Sequence, residues 1–330
     1  MPRKRIVVWD PNGWEARREK LKNAVRFFYD LQQLRIQASN RAAKKAAQAE
    51  AHLDEDDKHF LESTGVGLKQ LEKGALKEVA RLLAGIPIYE KWLNDQRGIG
   101  PTLSGLLISE FNIEHCQTPS QMWAWAGLAV RDGKADRRIK GQRARFNPWL
   151  KSKITEVMAG SLLKSASPYR ALYDAYKHRK QHQQVEVCMG CEGTGEQIIR
   201  EKTTPPPGEK KKRKKRKCEN CGGTGGPAPW GVSDAHRHRA ALRYMAKQFL
   251  ADYWREWRTM EALPTRPPYC EEYLGRIHHT LDHATRYLTE SEPQTEGDPK
   301  CTSVSPQNKN APRRSRAPTT TGEPKRRKAG

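Results

Sequence analysis

Two eight-residue segments constrain the fold of this chain more than anything else in it. Cys188-Met-Gly-Cys191-Glu-Gly193-Thr-Gly195 and Cys218-Glu-Asn-Cys221-Gly-Gly223-Thr-Gly225 repeat one pattern, Cys-x-x-Cys-x-Gly-x-Gly. Two residues between cysteines let both thiolates reach one tetrahedral ion. The glycines that follow let the backbone fold back with its amides turned toward the sulfurs. Two such knuckles supply four ligands, so Cys188, Cys191, Cys218 and Cys221 are expected to close a structural Zn2+ site with no open position for catalysis. A pair of redox dithiols is the competing reading. The other cysteines, Cys116, Cys270 and Cys301, are scattered. A secreted disulfide framework would be denser in a shorter chain, so a reducing, cytoplasmic compartment is expected.

The charge balance narrows the partners. The chain has 330 residues, 61 of them Lys or Arg against 38 Asp or Glu, for a net charge of +23. Such an excess makes a polyanion the default partner, with nucleic acid the leading candidate and nucleoid association its consequence. The longest apolar stretch runs only from Leu82 to Tyr89 and contains Pro87. A membrane span needs roughly 20 apolar residues. Met-Pro-Arg-Lys-Arg at the start is followed by too few apolar residues for a signal peptide. Between the knuckles, Lys210 to Lys217 are eight consecutive cations. Phosphate-backbone binding and a flexible, solvated loop are both open for them.

The hydrophobic periodicity is almost entirely helical, so the expected fold class is mainly α. Trp14 to His52 lacks proline and carries Leu21, Val25, Phe28 and Leu31 on one stripe. Residues 1–75 therefore form a long N-terminal helix or helical arm, either packed along one edge or used for homodimerisation. A helical domain is expected over 76–182 and 230–290, interrupted by the knuckle insertion at 183–229. Its helices are expected at 76–86, 103–111, 120–128, 148–165, 168–182, 237–257 and 273–288. Ile6 to Trp9 is the one convincing early strand, and Gly65-Val66-Gly67 reads as an ordinary turn. Asp54 to Asp57 suits a solvated loop, and the basic tail at 291–330 is expected to be disordered.

Arg97-Gly98-Ile99-Gly100-Pro101-Thr102 lies between two helical patterns. Gly-hydrophobic-Gly permits a tight hairpin anchored by Ile99, with the amides of Gly98, Gly100 and the following helix start, Pro101-Thr102, facing a phosphate. This is the signature of a helix-hairpin-helix, a module for sequence-independent DNA binding. Downstream, Arg131, Lys134, Arg137, Arg138, Lys140, Arg143 and Arg145 crowd one loop, with Trp149 just beyond. Guanidinium forks on phosphates beside a stacking ring fit nucleic-acid contact. His279 and His283 are four residues apart on an expected helix, where a solvated face is the better reading than a metal site; His236 and His238 flank the knuckles.

The order of these pieces resembles a known family. The hairpin at 97–102, Trp123-Ala-Trp-Ala-Gly127-Leu128, the basic loop, Asn147-Pro-Trp-Leu150 and Pro168-Tyr169 to Tyr173 resemble the C-terminal half of the pilin-inversion-type (Piv-like) insertion-sequence transposases. The resemblance covers about residues 90–182 and 233–258. It implies a part in DNA transposition and recombination, with DNA as partner, and a guide RNA or a separately encoded catalytic subunit beside it. The family also carries an N-terminal RuvC-type domain with spaced carboxylates and a nucleophilic serine after Gly-Leu. The first 90 residues here offer one strand ending at Asp10, and Asp132 stands in the serine's slot. A protein acting in transposition without its own catalytic centre is the resulting expectation. A non-catalytic DNA- or RNA-binding protein derived from a transposon is the alternative. The knuckles separately resemble those of the DnaJ-type chaperones, which keeps a zinc-dependent protein-interaction factor as a third reading.

Overall fold

The computed structural model describes residues 13–47, 55–131, 134–200, 213–273 and 275. Helices dominate, as the periodicity predicts, and the described strands form three two-stranded pairs. The expected strand at 6–9, the helix at 273–288, His279, His283, Asp132 and the tail lie outside the described residues.

Helices α1 (Trp14–Ala47) and α2 (Glu55–Leu83) form an antiparallel hairpin. Arg17 near the start of α1 donates to the carbonyls of Leu82 and Ala84, while Arg35 pairs with Glu72 at 2.6 Å. The apolar stripe of α1 is buried at Leu21, Val25, Phe28 and Leu31. Its proximal half thus belongs to the core. Gly65 and Gly67 are not in a turn: they lie within α2, where α1 supplies the packing that outweighs glycine's poor propensity. Residues 55–57 form the start of α2 rather than a loop.

Short elements α3 (Pro87–Lys91) and a 3-10 turn (Leu93–Asp95) lead into α4 (Pro101–Glu110). Every residue from Leu103 to Glu110 is buried, because α4 runs between α1 and α2. A Cβ at Gly105 would lie 2.8 Å from Val25 and 3.1 Å from Val79, so glycine sets how closely the three helices approach. Helix α5 (Pro119–Trp125) starts on a capping box in which Thr118 and Gln121 satisfy each other's amides. Strands β1 (Val130–Arg131) and β2 (Lys134–Ala135) pair antiparallel. A rod follows: α6 (Pro148–Ser152), a π-helical segment (Lys153–Met158) and α7 (Ala159–Lys164).

Helices α8 (Arg170–His182) and α9 (Asp234–Met260) pack on one another and frame the cysteine insertion. Its base is closed by β3 (Gln184–Val185) paired with β6 (Ala228–Pro229), and by Trp230 N–H donating to Gln183 O at 2.8 Å. Within it, β4 (Glu196–Arg200) pairs antiparallel with β5 (Arg213–Lys217). Residues 213–217 of the cationic run are therefore a strand, stabilised by ladder bonds and the 2.9 Å pair of Lys215 with Glu196, rather than a solvated loop. Tyr253, Phe249 and Trp254 of α9 are fully buried, and Trp92 packs against the first two rings. Short α10 (Tyr269–Glu272) follows α9.

Candidate metal centre and cationic surface

The four cysteine sulfurs converge. All lie within 4.8 Å of one another, with Cys188 and Cys218 Sγ 3.8 Å apart and Cys191 and Cys221 Sγ 3.7 Å apart. A tetrahedral ion with bonds of about 2.3 Å to sulfur requires sulfurs about 3.8 Å apart. The donor set fits such an ion. The two knuckles are related by a pseudo-twofold: Cys188 N–H donates to Gly225 O and Cys218 N–H to Gly195 O, each at 2.8 Å. Gly195 N–H points at Cys191 Sγ (3.2 Å) and Gly225 N–H at Cys221 Sγ (3.3 Å), with Asn220 Nδ2 3.5 Å from Cys188 Sγ.

These amides favour thiolates. Burial disfavours the Cys221 thiolate, but hydrogen bonds from Gly225, Gly223, Cys191 and Cys218 outweigh it and bring that thiol down to about 6. Burial pushes Cys218 up to about 11. Glycine is required where the knuckles meet. Gly195 and Gly225 both have positive φ, and a Cβ on either would lie 2.3 Å from a carbonyl oxygen of the opposite knuckle, Gly223 or Gly193. Asn220 also donates to Gly231 O at 2.8 Å and accepts from Arg237 Nη1 at 3.3 Å, which ties the cluster to the start of α9.

The hairpin 97–102 sits between the 3-10 turn and α4, with Ile99 buried as its anchor. Its glycines differ. Gly98 has φ +89°, its carbonyl accepts from Ser161 Oγ at 2.7 Å, and an added Cβ would lie 2.4 Å from Ser165 Oγ. Close packing on α7, not ligand approach, explains that glycine. Gly100 is the exposed N-cap of α4, with φ −88°; a Cβ there would meet nothing within 4 Å. Of the two glycines, only Gly98 has left-handed backbone.

Arg131, Arg137, Arg138, Lys140, Arg143 and Arg145 are all exposed. Arg131 lies 3.8 Å from Asp136; among the described residues no carboxylate is within ion-pair distance of the other five. Lys134 lies in β2, opposite Arg131. Two groups of cations gather around this loop. One is an open groove of about 620 Å³ whose lining includes Arg26, Arg138, Gln142, Arg143, Phe146 and Trp149, and no carboxylate. Arg26 is a residue that sequence reasoning missed, since it lies on α1 more than a hundred positions away. It is held by buried Glu110, whose Oε1 accepts from Arg26 Nε and Nη2 at 3.2 and 2.8 Å and whose Oε2 accepts from Asn147 Nδ2 at 2.8 Å. Trp125 Nε1 donates to the backbone carbonyl of Glu110 at 3.1 Å.

The second group sits where the loop meets α9. Burial holds the half-buried Arg243 guanidinium below its usual range; Tyr176 opposes this, and repulsion from Arg137 and Arg239 adds smaller lowering effects. Burial and the positive fields of Arg243, Arg239, Arg137 and Arg237 also lower His236, which favours the neutral imidazole. His238 Nδ1 is 2.6 Å from Tyr173 Oη. Among the described residues the four cysteines are the only group with metal-ligand geometry. No described helix is long and apolar enough to cross a membrane. No protein family, curated protein or solved structure matches the chain.

Proposed function

We propose that this chain is a nucleic-acid-binding protein built like the DNA-binding half of a Piv-like transposase, with one structural Zn2+ held by Cys188, Cys191, Cys218 and Cys221. The observation that carries the reading is the exposed loop 131–145, whose guanidinium groups stand clear of described carboxylates except at Arg131. Arginines kept in that state suit phosphate oxygens, which accept two parallel hydrogen bonds from one fork. Gly100, with open space before the start of α4, would let a backbone phosphate approach the amides of a helix-hairpin-helix. Strand β5 adds exposed Lys215, Arg216 and Lys217 from the zinc module. Zinc would act only as a crosslink, since four thiolates leave it no open position.

Strand cleavage is not assigned to this chain. Asp132 in place of the family's serine cannot form a serine–DNA linkage, so a catalytic subunit or guide RNA would come from elsewhere. Incubation with supercoiled plasmid and Mg2+ is the test. The plasmid should be retarded on a gel and remain uncut. Free migration at low salt contradicts the binding role, and nicking that disappears in Asp132→Ala contradicts the non-catalytic one.

A further inference from the structure

The groove beside α6 differs from the rest of the cationic surface in being built around a fixed guanidinium. Arg26 is 46% exposed, whereas the Glu110 side chain beneath it is 3% exposed. Both carboxylate oxygens of Glu110 are occupied, one by Arg26 and the other by Asn147. The acid therefore orients Arg26 without presenting negative charge to the groove. The Arg26 Cζ lies 5.2 Å from the Trp149 ring centroid, and Tyr29 meets the same indole edge-on at 5.8 Å. Tyr29 thus braces Trp149 edge-on, and Trp149 backs a half-exposed guanidinium. Arg138, Arg143 and Gln142 complete the lining.

We propose that this groove takes one unstacked nucleotide of a single strand. This rests on the nucleic-acid reading above and adds to it a preference for unpaired strands. The groove is an open depression of about 620 Å³, roomy enough for one base and sugar lying on its surface and too small for a duplex. An unpaired base can lie on an arginine plane, which a base stacked inside a helix cannot reach. Arg138 and Arg143 are placed for the flanking phosphates, and Gln142 offers both a donor and an acceptor to a base edge. The sugar is not read by any of these groups, so DNA and RNA strands of one sequence should behave alike.

The test is fluorescence anisotropy with the full chain at fixed salt, using a twelve-nucleotide DNA strand, the matching duplex and the same RNA sequence. Single strands should bind more tightly than the duplex. Arg26→Lys keeps the charge and loses the plane, so single-strand affinity should fall about tenfold, the scale of one lost base stack. Duplex affinity should change by less than about twofold, since Arg26 is not among the residues assigned to duplex phosphates. A second arm needs no variant: abasic positions throughout the DNA strand should weaken wild-type binding by a similar factor. Duplex binding with no response of single strands to Arg26→Lys or to abasic sites overturns the nucleotide site alone. Failure of the wild-type chain to bind any of the three probes overturns the nucleic-acid reading as well.

Discussion

Arg26 and Glu110 form a hydrogen-bonded ion pair, 2.8 Å between Nη2 and Oε1, that joins α1 to the last turn of α4. Its two ends live in different environments. The carboxylate is buried and the guanidinium faces a groove, so the partners are not equivalent under mutation. Arg26→Ala leaves the buried carboxylate with Asn147 as its remaining side-chain partner and should destabilise the fold by about 1–3 kcal/mol, less than a fully buried pair would lose because the guanidinium is half-exposed. Chemical denaturation checks this, and a loss below about 1 kcal/mol would mean that water reaches Glu110 freely.

Alkali should weaken the fold. Burial pushes the Cys116 thiol up to about 11, against smaller lowering effects of Arg258 and Arg18, and the Tyr29 phenol up to about 12. Both groups are neutral in the fold and ionise more readily once unfolded. Their contribution is complete below the unfolded values near 9 and 10 and disappears as pH rises toward 11 and 12. These two groups alone should lower the unfolding free energy by about 3 kcal/mol between pH 8.5 and 11, and the buried phenols of Tyr169, Tyr176 and Tyr253, also raised by burial, add to the decline. Cys116→Ala and Tyr29→Phe should each flatten the decline. An unchanged profile in both variants contradicts the assignment.

The two hairpin glycines should separate stability from binding. Gly98→Ala meets Ser165 and needs a left-handed alanine, so it should cost roughly 1–3 kcal/mol. Gly100→Ala has open space and an ordinary φ, so thermal stability should change little. Gly100→Val should nonetheless weaken nucleic-acid binding with little change in salt dependence, because bulk and not charge is added. Equal loss of stability in both positions would show that the hairpin is only a structural turn.

The legible parts of this fold were those with dense local signals. Leu21, Val25, Phe28 and Leu31 give α1, and Cys-x-x-Cys-x-Gly-x-Gly gives a cluster whose sulfurs do converge. Gly65-Val66-Gly67 misled because local propensity was outweighed by α1, which packs along α2 from another part of the chain. The strand at 213–217 is not legible locally either: charge repulsion favours a loop, but β4 supplies a ladder from another segment. The Arg26–Glu110–Asn147 constellation was invisible because its members come from α1, α4 and the start of α6. Nothing local marks Arg26 as different from its neighbours on α1.

Metal removal should have a local effect. Freshly purified, reduced protein should hold about one equivalent of zinc, and Cys191→Ser should release it. Structural zinc contributes roughly 10–16 kcal/mol in small modules. Loss of protection in hydrogen exchange should therefore be confined to about residues 183–229, while α4 and α9 stay protected. Gly195→Ala should lower zinc retention without touching a ligand, because its Cβ would collide with the Gly223 carbonyl. Near-zero zinc in the wild-type protein contradicts the assignment.

The salt dependence of duplex binding tests the central claim most directly. Each phosphate contact contributes about 0.9 to the slope of log K against log salt on duplex DNA. In a chain ending near residue 290, Arg137→Ala with Arg138→Ala should lower affinity for all sequences alike and reduce that slope by about two. Unchanged affinity and slope in the double variant would contradict the assignment of loop 131–145 to phosphate contact.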